Sequence, residues 1–454
     1  MRRILPWCLV FGASTSLPAQ SRDALIRRLD SIAGSPVQEN RAVGIAVAVV
    51  RGTDTLLLKG YGKADVEWNV PMPVDAVFEI GSVTKQFTAA AILQLRDAGK
   101  LSLDDDLTKY LPNFPTAGNR IPIRRLLDHT SGIKGITEIP EFRALSVRTL
   151  PRDSAIALIA RYPFDFPTGE AMIYNNSAFL LLGHIIEKVT GKSYEDYIEQ
   201  QIFAPLGMKR SMYCNSAENV ERRAHGYAYE RTTVRRASMN VHIWPFSAGS
   251  ICSTAGDLVT WLEALHGGKV LTPKSYTEMT SPSTLKDGTP LRYGMGIAVG
   301  TDPRGLKEIG HGGAIDGFVS QAGWYPDGKL AIVVLMNSAG PVSPSALASE
   351  LARAILPVTP PPADKAFTGD ATPFPGTYSG PSRGRVMDAV VTSTPQGLSI
   401  AVNGGQGRPL QWVDGWTFRV GNNILTFRRS GASGPAAELR FDGGGGLYVL
   451  KRKP

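Results

Sequence analysis

The chain has 454 residues, of which 43% are hydrophobic and 20% charged, with a formal net charge of +9. That length rules out one ordinary domain and suits one large domain joined to a small one. The composition is that of a soluble globular protein with a sizeable core. If Arg2 and Arg3 leave with a leader the surplus is +7 (9 − 2), which favours anionic surroundings such as a cell wall or phospholipid surface. Nucleic acid does not suit an exported chain as a partner.

Export is what the N-terminus predicts. Met1-Arg2-Arg3 is followed by an apolar run over 4–13 and small residues over 14–20, the pattern of a secretory signal peptide cut near Ala19. The run is too short to span a bilayer. Cys8 within it lacks the small-residue approach of a lipoprotein box. The expected address is periplasmic or secreted, with no membrane span once the leader is gone. Cleavage leaves Cys214 and Cys252. Export permits a disulfide between them, and a pair of buried free thiols is equally compatible.

Residues 21–35 carry Leu25, Ile26, Leu29 and Ile32 at helical spacing and end near Gly34. Strands are expected over 43–50 and 54–58, joined by Arg51-Gly52-Thr53, with a third over 61–67. Residues 78–95 come next. Ser82 and Lys85 are three apart, which puts them on one helix face with Cβ atoms roughly 5–6 Å apart. From Phe87 to Leu95 the run is apolar on nearly every side, so this helix is expected to be buried and to close at Gly99.

From there to about residue 265 the pattern is mainly helical. Phe179, Leu180, Leu182, Ile185, Ile186 and Val189 form an amphipathic helix closed by Gly191. Strand character returns over 293–299, 318–325 and 330–336, the last two flanking the turn Pro326-Asp327-Gly328, and a helix over 345–355 follows. The predicted fold is α+β: an antiparallel sheet assembled from both chain ends and flanked by helices, with an all-helical region. The proline run over 357–362 is a stiff linker. Beyond it, strand candidates over 377–378, 386–392, 398–402, 416–420, 424–428, 437–441 and 447–451 alternate with Gly-rich turns, a small all-β barrel or sandwich. The expected division is 1–19 leader, 20–356 large domain, 357–371 linker and 372–454 β domain.

A serine and a lysine at the start of a buried helix suggest a nucleophile beside an amine that accepts its proton or tunes it. Two other Ser-x-x-Lys pairs, Ser131/Lys134 and Ser283/Lys286, precede no helix and read as structural. Tyr174-Asn175-Asn176 stands at a loop-to-helix junction, a setting that Tyr213-Cys214-Asn215 lacks. His311-Gly312-Gly313-Ala314 leads into the strand expected near Gly317. Its paired glycines mark a tight turn or the close approach of another backbone or a ligand.

Ser82-x-x-Lys85, Tyr174-x-Asn176 and His311-x-Gly313 occur in the order of the three motifs of the serine β-lactamase and penicillin-binding protein superfamily. From about residue 40 to 355 the chain resembles the class C-like branch. Asp128-His129-Thr130-Ser131-Gly132, Pro167-Thr168-Gly169-Glu170, Pro205-Leu206-Gly207-Met208 and Ser253-Thr254-Ala255-Gly256-Asp257 are similar to recurrent segments of it. The β domain resembles, more faintly, the C-terminal barrels of D-aminopeptidases. The resemblance implies a β-lactamase-like fold and an acyl-enzyme hydrolase. Ser82 would attack a carbonyl, with Lys85 and Tyr174 sharing its proton. Asn176 would hold Lys85 and a substrate amide. The N–H groups of Ser82 and Ala314 would form the oxyanion hole, beside Gly313, with His311 supporting Tyr174 where many relatives have a lysine. Free Lys and Tyr titrate near ~10.4 and ~10, so a base at neutral pH needs a shift of ~3 units, or ~4 kcal/mol, from burial or a neighbouring cation. Which of the two is the base stays open.

Gly312 departs from the pattern. Many relatives that cleave D-Ala-D-Ala or β-lactams carry a hydroxyl there for the substrate carboxylate. Esterase, amidase or D-aminopeptidase work therefore gains over β-lactamase or DD-peptidase work. The implied partner is a small-molecule or peptide substrate, with the cell wall one source. The alternative is a slow penicillin- or cell-wall-binding module, which a broken Ser, Lys or Tyr would favour; none is broken.

Other features have plainer readings. Arg222, Arg223, Arg231, Arg235 and Arg236 read as a solvated loop, and His129 as a loop-shaping residue. The six histidines lack spacings such as His-Glu-x-x-His, so no metal or cofactor is expected. Gly380-Pro381-Ser382-Arg383-Gly384 matches Gly-x-Ser-x-Gly without the helix that motif requires. Trp412, Trp416 and Tyr378 suit a barrel core better than a sugar platform, and residues 443–446 a flexible turn.

Overall fold

The computed structural model describes residues 19–454 apart from 232, 303, 361–364, 366 and 396. The expected leader up to residue 18 and the end of the proline run lie outside the described residues.

Side chains alternate across a strand, and Gly44–Arg51 uses both faces. Ile45, Val47 and Val49 pack with Leu29, Leu347 and Leu351 of the helices Ala19–Gln38 and Pro344–Ile355. Ala46 and Ala48 face the other way, toward Phe87, Trp261 and Leu262. The neighbouring strand Leu330–Met336 divides in the same manner, with Ile332 and Val334 on one side and Ala331, Val333 and Leu335 on the other. Each large apolar side chain buried this way contributes about 1.5–3 kcal/mol.

The sheet has seven strands, in the order Ala298–Thr301, Lys307–Ile315, Phe318–Tyr325, Leu330–Met336, Gly44–Arg51, Asp54–Asp65 and Val70–Pro71. Every pairing in it is antiparallel. This is the α+β arrangement read from the sequence, with early and late strands meeting at the Gly44–Arg51/Leu330–Met336 seam.

Several elements differ from expectation. The strands expected over 54–58 and 61–67 are largely one, Asp54–Asp65. The strand expected over 293–299 shrinks to Ala298–Thr301, because Gly296 at φ 70° turns the chain against the Lys85 carbonyl. His311-Gly312-Gly313-Ala314 lies inside the strand Lys307–Ile315, not ahead of one. The turn falls at Asp316 and Gly317 instead. The first helix runs past Gly34 to Gln38. The helical middle also contains two small sheets. One joins Phe78–Glu79, Ile251–Ser253 and Met212–Tyr213, and there Cys214 and Cys252 form a disulfide. The arginine patch is largely exposed, as expected, but only part of it lies on a loop. Arg235 and Arg236 lie on the strand Thr233–Arg236, and Arg222, Arg223, Arg235 and Arg236 pair with Asp75, Glu79, Glu230 and Glu67. No helix of the described residues is long and apolar enough to cross a membrane.

The C-terminal strands form one antiparallel sheet curled into a near-barrel, running from Arg408–Pro409 at one end to Gln411–Asp414 at the other. Tyr378 is fully buried in its core, and Trp412 and Trp416 pack against that core. Phe166, Ala171 and Ile173 of the large domain belong to the same apolar cluster. The strand Met172–Ile173 pairs with Gly446–Arg452 through Ile173/Gly446 and Met172/Leu447. The barrel is thus continuous with the segment that leads to Tyr174.

Candidate active site

The helix Thr84–Asp97 is preceded by a single 3-10 turn, Gly81–Val83, that carries Ser82. Ser82 is half-buried, whereas Lys85 one turn on is fully buried. The Lys85 Nζ lies 3.1 Å from the Ser82 Oγ, 2.8 Å from the Asn176 Oδ1 and 2.8 Å from the Ala248 carbonyl. Asn176 opens the helix Asn176–Thr190, which Asn175 caps by accepting from the Ala178 N–H. The Asn176 Nδ2 donates to Thr137 Oγ1, which fixes the amide with its oxygen toward Lys85.

These contacts suit both protonation states of the amine. The two carbonyl-type oxygens can only accept, so they take two N–H bonds from Lys85. The third direction faces the Ser82 hydroxyl, as a lone pair when the amine is neutral and as an N–H after it has gained a proton. Burial drives the Lys85 pKa well below the usual lysine value, and nearby Arg383 adds to the effect.

Tyr174 is placed by the Met172–Ile173 pairing, and its N–H donates to the Gly445 carbonyl. Its ring lies 4.9 Å from Lys85 Nζ. Its hydroxyl is buried, close enough to Ser82 for that side chain to ease its ionisation. Burial outweighs Ser82 and Arg383 and raises its pKa above the ordinary tyrosine value.

His311 packs against Tyr174, 5.9 Å between ring centroids, but its hydrogen bonds go elsewhere. Its Nε2 accepts from the Tyr293 hydroxyl at 2.8 Å and its Nδ1 donates to the Gly312 carbonyl at 2.6 Å. Burial, helped by Lys85, lowers its pKa to about 3, so the ring is neutral and acts as a wall of the site. His129 shapes its loop at φ 61° and also packs against Tyr174, 4.4 Å between ring centroids. Its Nδ1 accepts from the Asn175 N–H.

Gly81 and Gly313 bring the Ser82 turn against the strand Lys307–Ile315. A Cβ on Gly81, at φ 52°, would lie 2.9 Å from the Ala314 nitrogen, and one on Gly313 would lie 2.0 Å from the Ile80 carbonyl oxygen. The edge strand Ala298–Thr301 pairs only with 307–310, so residues 311–315 have no ladder partner on that side. The first N–H groups of a helix likewise lack intrahelical partners. Ser82 and Ala314 therefore bring backbone donors to one place.

Among the described residues, the rival pairs have other duties. Ser131 is buried and Lys134 pairs with Asp165, while Ser283 donates to the Gly294 carbonyl. Ser382 donates to the Arg385 carbonyl in its own hairpin. Sequence reasoning missed Arg383, the residue after it. Its guanidinium lies 5.4 Å from the Tyr174 ring centroid and pairs with Glu138. The Pro and Gly around Arg383 mark a turn, but no local signal says where that turn lands. Residues 443–446 are likewise more than a flexible turn, since Gly445 anchors Tyr174.

A helix–sheet–helix sandwich with serine, lysine and tyrosine converging at the start of a buried helix is the architecture of an acyl-transferring serine hydrolase. Residues 24–356 match the Beta-lactamase family model, and the chain belongs to that family. It is 27% identical over 311 residues to penicillin-binding protein 4* of Bacillus subtilis (strain 168), covering 64% of this chain and 67% of the relative. It is 30% identical over 316 residues to the D-aminopeptidase of Brucella anthropi, covering 67% of this chain and 58% of that protein. The structure of D-amino acid amidase from Ochrobactrum anthropi SV3 complexed with L-phenylalanine superposes with a TM-score of 0.64 at 28% identity, covering 73% of this chain and 98% of that one. The chain is a serine hydrolase of this family.

Proposed function

We propose that the protein is an exported hydrolase that forms an acyl-enzyme at Ser82 on amides, peptides or esters of D-amino acids. The observation that carries this reading is the 3.1 Å contact between Ser82 Oγ and the buried Lys85 amine. The names of the D-aminopeptidase and D-amino acid amidase relatives support the substrate class. The leader-like N-terminus and the Cys214–Cys252 disulfide support a periplasmic or secreted address, where disulfides persist.

In this reading Lys85 is the base. Its neutral amine takes the Ser82 proton as Oγ bonds to the substrate carbonyl, and the N–H groups of Ser82 and Ala314 hold the oxyanion. Tyr174, kept protonated by burial, gives its proton to the leaving nitrogen as the C–N bond breaks and regains one from the Lys85 ammonium. Water then cleaves the acyl ester, with its proton passing to Lys85 and returning to Ser82. Asn176 keeps Lys85 aimed at Ser82 throughout.

The test is turnover by the wild-type protein and Ser82→Ala of a D-alanyl p-nitroanilide, a short-chain p-nitrophenyl ester and a chromogenic cephalosporin. The anilide and ester are expected to turn over with a Ser82 acyl adduct visible by mass, and the cephalosporin more slowly. Equal rates for both proteins on all three, with no adduct, would overturn the reading.

A further inference from the structure

Arg383 stands on the hairpin between the barrel strands Gly376–Ser382 and Arg385–Thr394. The hairpin is built to reach the site: a Cβ on Gly384, at φ 67°, would lie 2.9 Å from the Glu138 Cβ, so only glycine permits this approach. Glu138 takes the Nε and Nη2 of Arg383 on a single oxygen, at 3.2 and 2.8 Å. Those bonds use two of the five N–H donors of a guanidinium. The Arg383 side chain is 40% exposed, whereas that of Glu138 is 11% exposed, so the carboxylate is the buried anchor and the cation is the more accessible partner.

The stretch of strand beside Ser82, residues 311–314, offers a substrate no charge of its own. It presents a neutral His311, then Gly312 and Gly313. The guanidinium over the face of Tyr174 comes from the other domain, while Arg292 of the large domain, which lines the cavity beside Tyr174 and His311, is paired with Asp442. The Tyr174 face is the leaving-group side, since Tyr174 protonates the departing nitrogen; this step rests on the proposed function. The α-carboxylate of an amino-acid leaving group lies two bonds from that nitrogen.

We propose that Arg383, held by Glu138, receives the α-carboxylate of the leaving amino acid. The favoured substrate is then a dipeptide with a D-residue first and a free C-terminus. The barrel thereby completes the substrate site, and a planar, permanently charged guanidinium suits a carboxylate.

The test compares D-alanylglycine with D-alanylglycinamide, which differ only in the terminal charge. Wild-type kcat/KM is expected to favour the free acid about tenfold, mainly through KM, as suits hydrogen bonds to a charged group. Arg383→Ala brings the ratio near one, Arg383→Lys retains part of it, and Glu138→Gln lowers it. A wild-type ratio of one, or a ratio that survives Arg383→Ala, overturns the assignment. So does an equal fall on both substrates with a shifted pH profile, the mark of a residue that only tunes Tyr174 or joins the domains. Calorimetry on Ser82→Ala reads the same ratio as dissociation constants, without turnover. Tighter binding of the acid there, with no cleavage of either ligand by the wild type, sinks the hydrolase reading and leaves the Arg383 assignment standing. Cleavage of both ligands alike does the reverse.

Discussion

The Tyr174 N–H donates to the Gly445 carbonyl at 3.0 Å, so a residue of the proposed site takes its backbone position from the C-terminal barrel. The bond prolongs the Ile173/Gly446 and Met172/Leu447 pairings. Phe166 and Ile173, 8% and 4% exposed, owe their burial partly to the same barrel. Deleting 372–454 is therefore expected to abolish turnover and to expose an apolar face that binds a hydrophobic dye. Activity and dye fluorescence of the truncated chain check this.

As the proposed base, the Lys85 amine must be neutral to accept a proton, and burial has lowered its pKa. The sign follows: kcat/KM rises with pH through the depressed lysine value and is level above it, with the rise well below the ordinary ~10.4. Lys85→Arg stays protonated and is expected to lose about 10²–10⁴-fold at neutral pH. Tyr174→Phe is expected to slow the D-alanyl anilide more than the p-nitrophenyl ester, because nitrophenolate leaves without a proton. Rate profiles from pH 5 to 10 on both substrates check these outcomes.

Gly81 combines φ 52° with a Cβ position 2.9 Å from the Ala314 nitrogen and 3.1 Å from its carbonyl oxygen. Both atoms belong to backbone and cannot swing aside. Gly81→Ala is expected to push the two proposed oxyanion donors apart and lower kcat about 10²-fold, with less effect on KM. Gly99→Ala is the control. It has φ 69° but open space around the new Cβ, so it costs about 1 kcal/mol of stability and leaves kcat unchanged.

Asp287 of the large domain pairs with Arg428 and Arg440 of the barrel, at 2.8 and 2.6 Å. The Arg440 hydrogen bond leads the causes that hold its pKa far below the usual carboxylate range. A depressed carboxylate stabilises the fold above its unfolded pKa of ~3.9, and the contribution fades as pH falls through the folded value. Asp287 is 40% exposed, so Asp287→Asn is expected to cost only about 1 kcal/mol. That difference holds from pH 7 to about 5 and shrinks below ~3.9. Urea unfolding of both proteins across that range reads it.

The disulfide joins residues 38 apart in sequence and pins the small sheet from which the Ile251 carbonyl receives the Ile80 N–H. Cutting a cross-link of this loop length costs about 2–4 kcal/mol. The Cys214→Ala/Cys252→Ala double variant, like the reduced wild type, is expected to lose that much in thermal unfolding.

Much of this molecule is written locally. The alternation in residues 44–51 and 330–336 specifies two-faced strands, and the apolar run behind Lys85 specifies a buried helix, because side-chain period follows backbone geometry. The three motifs and their order identify the class of chemistry before any coordinates. Turn chemistry misled where glycines sit inside an extended strand: Gly312 and Gly313 lower strand propensity, yet Gly313 is needed because the Ile80 carbonyl and Ser320 hydroxyl leave no room for a Cβ there. No sequence pattern could show that the neutral His311 bonds to Tyr293, or that residues 383 and 445 close on Tyr174 from the far end of the chain. The proposed nucleophile Ser82 and the Lys85 amine lie three residues apart on one helical turn, so the sequence by itself determines their pairing. Contacts across more than two hundred residues depend on how the barrel docks, and only the tertiary structure decides that.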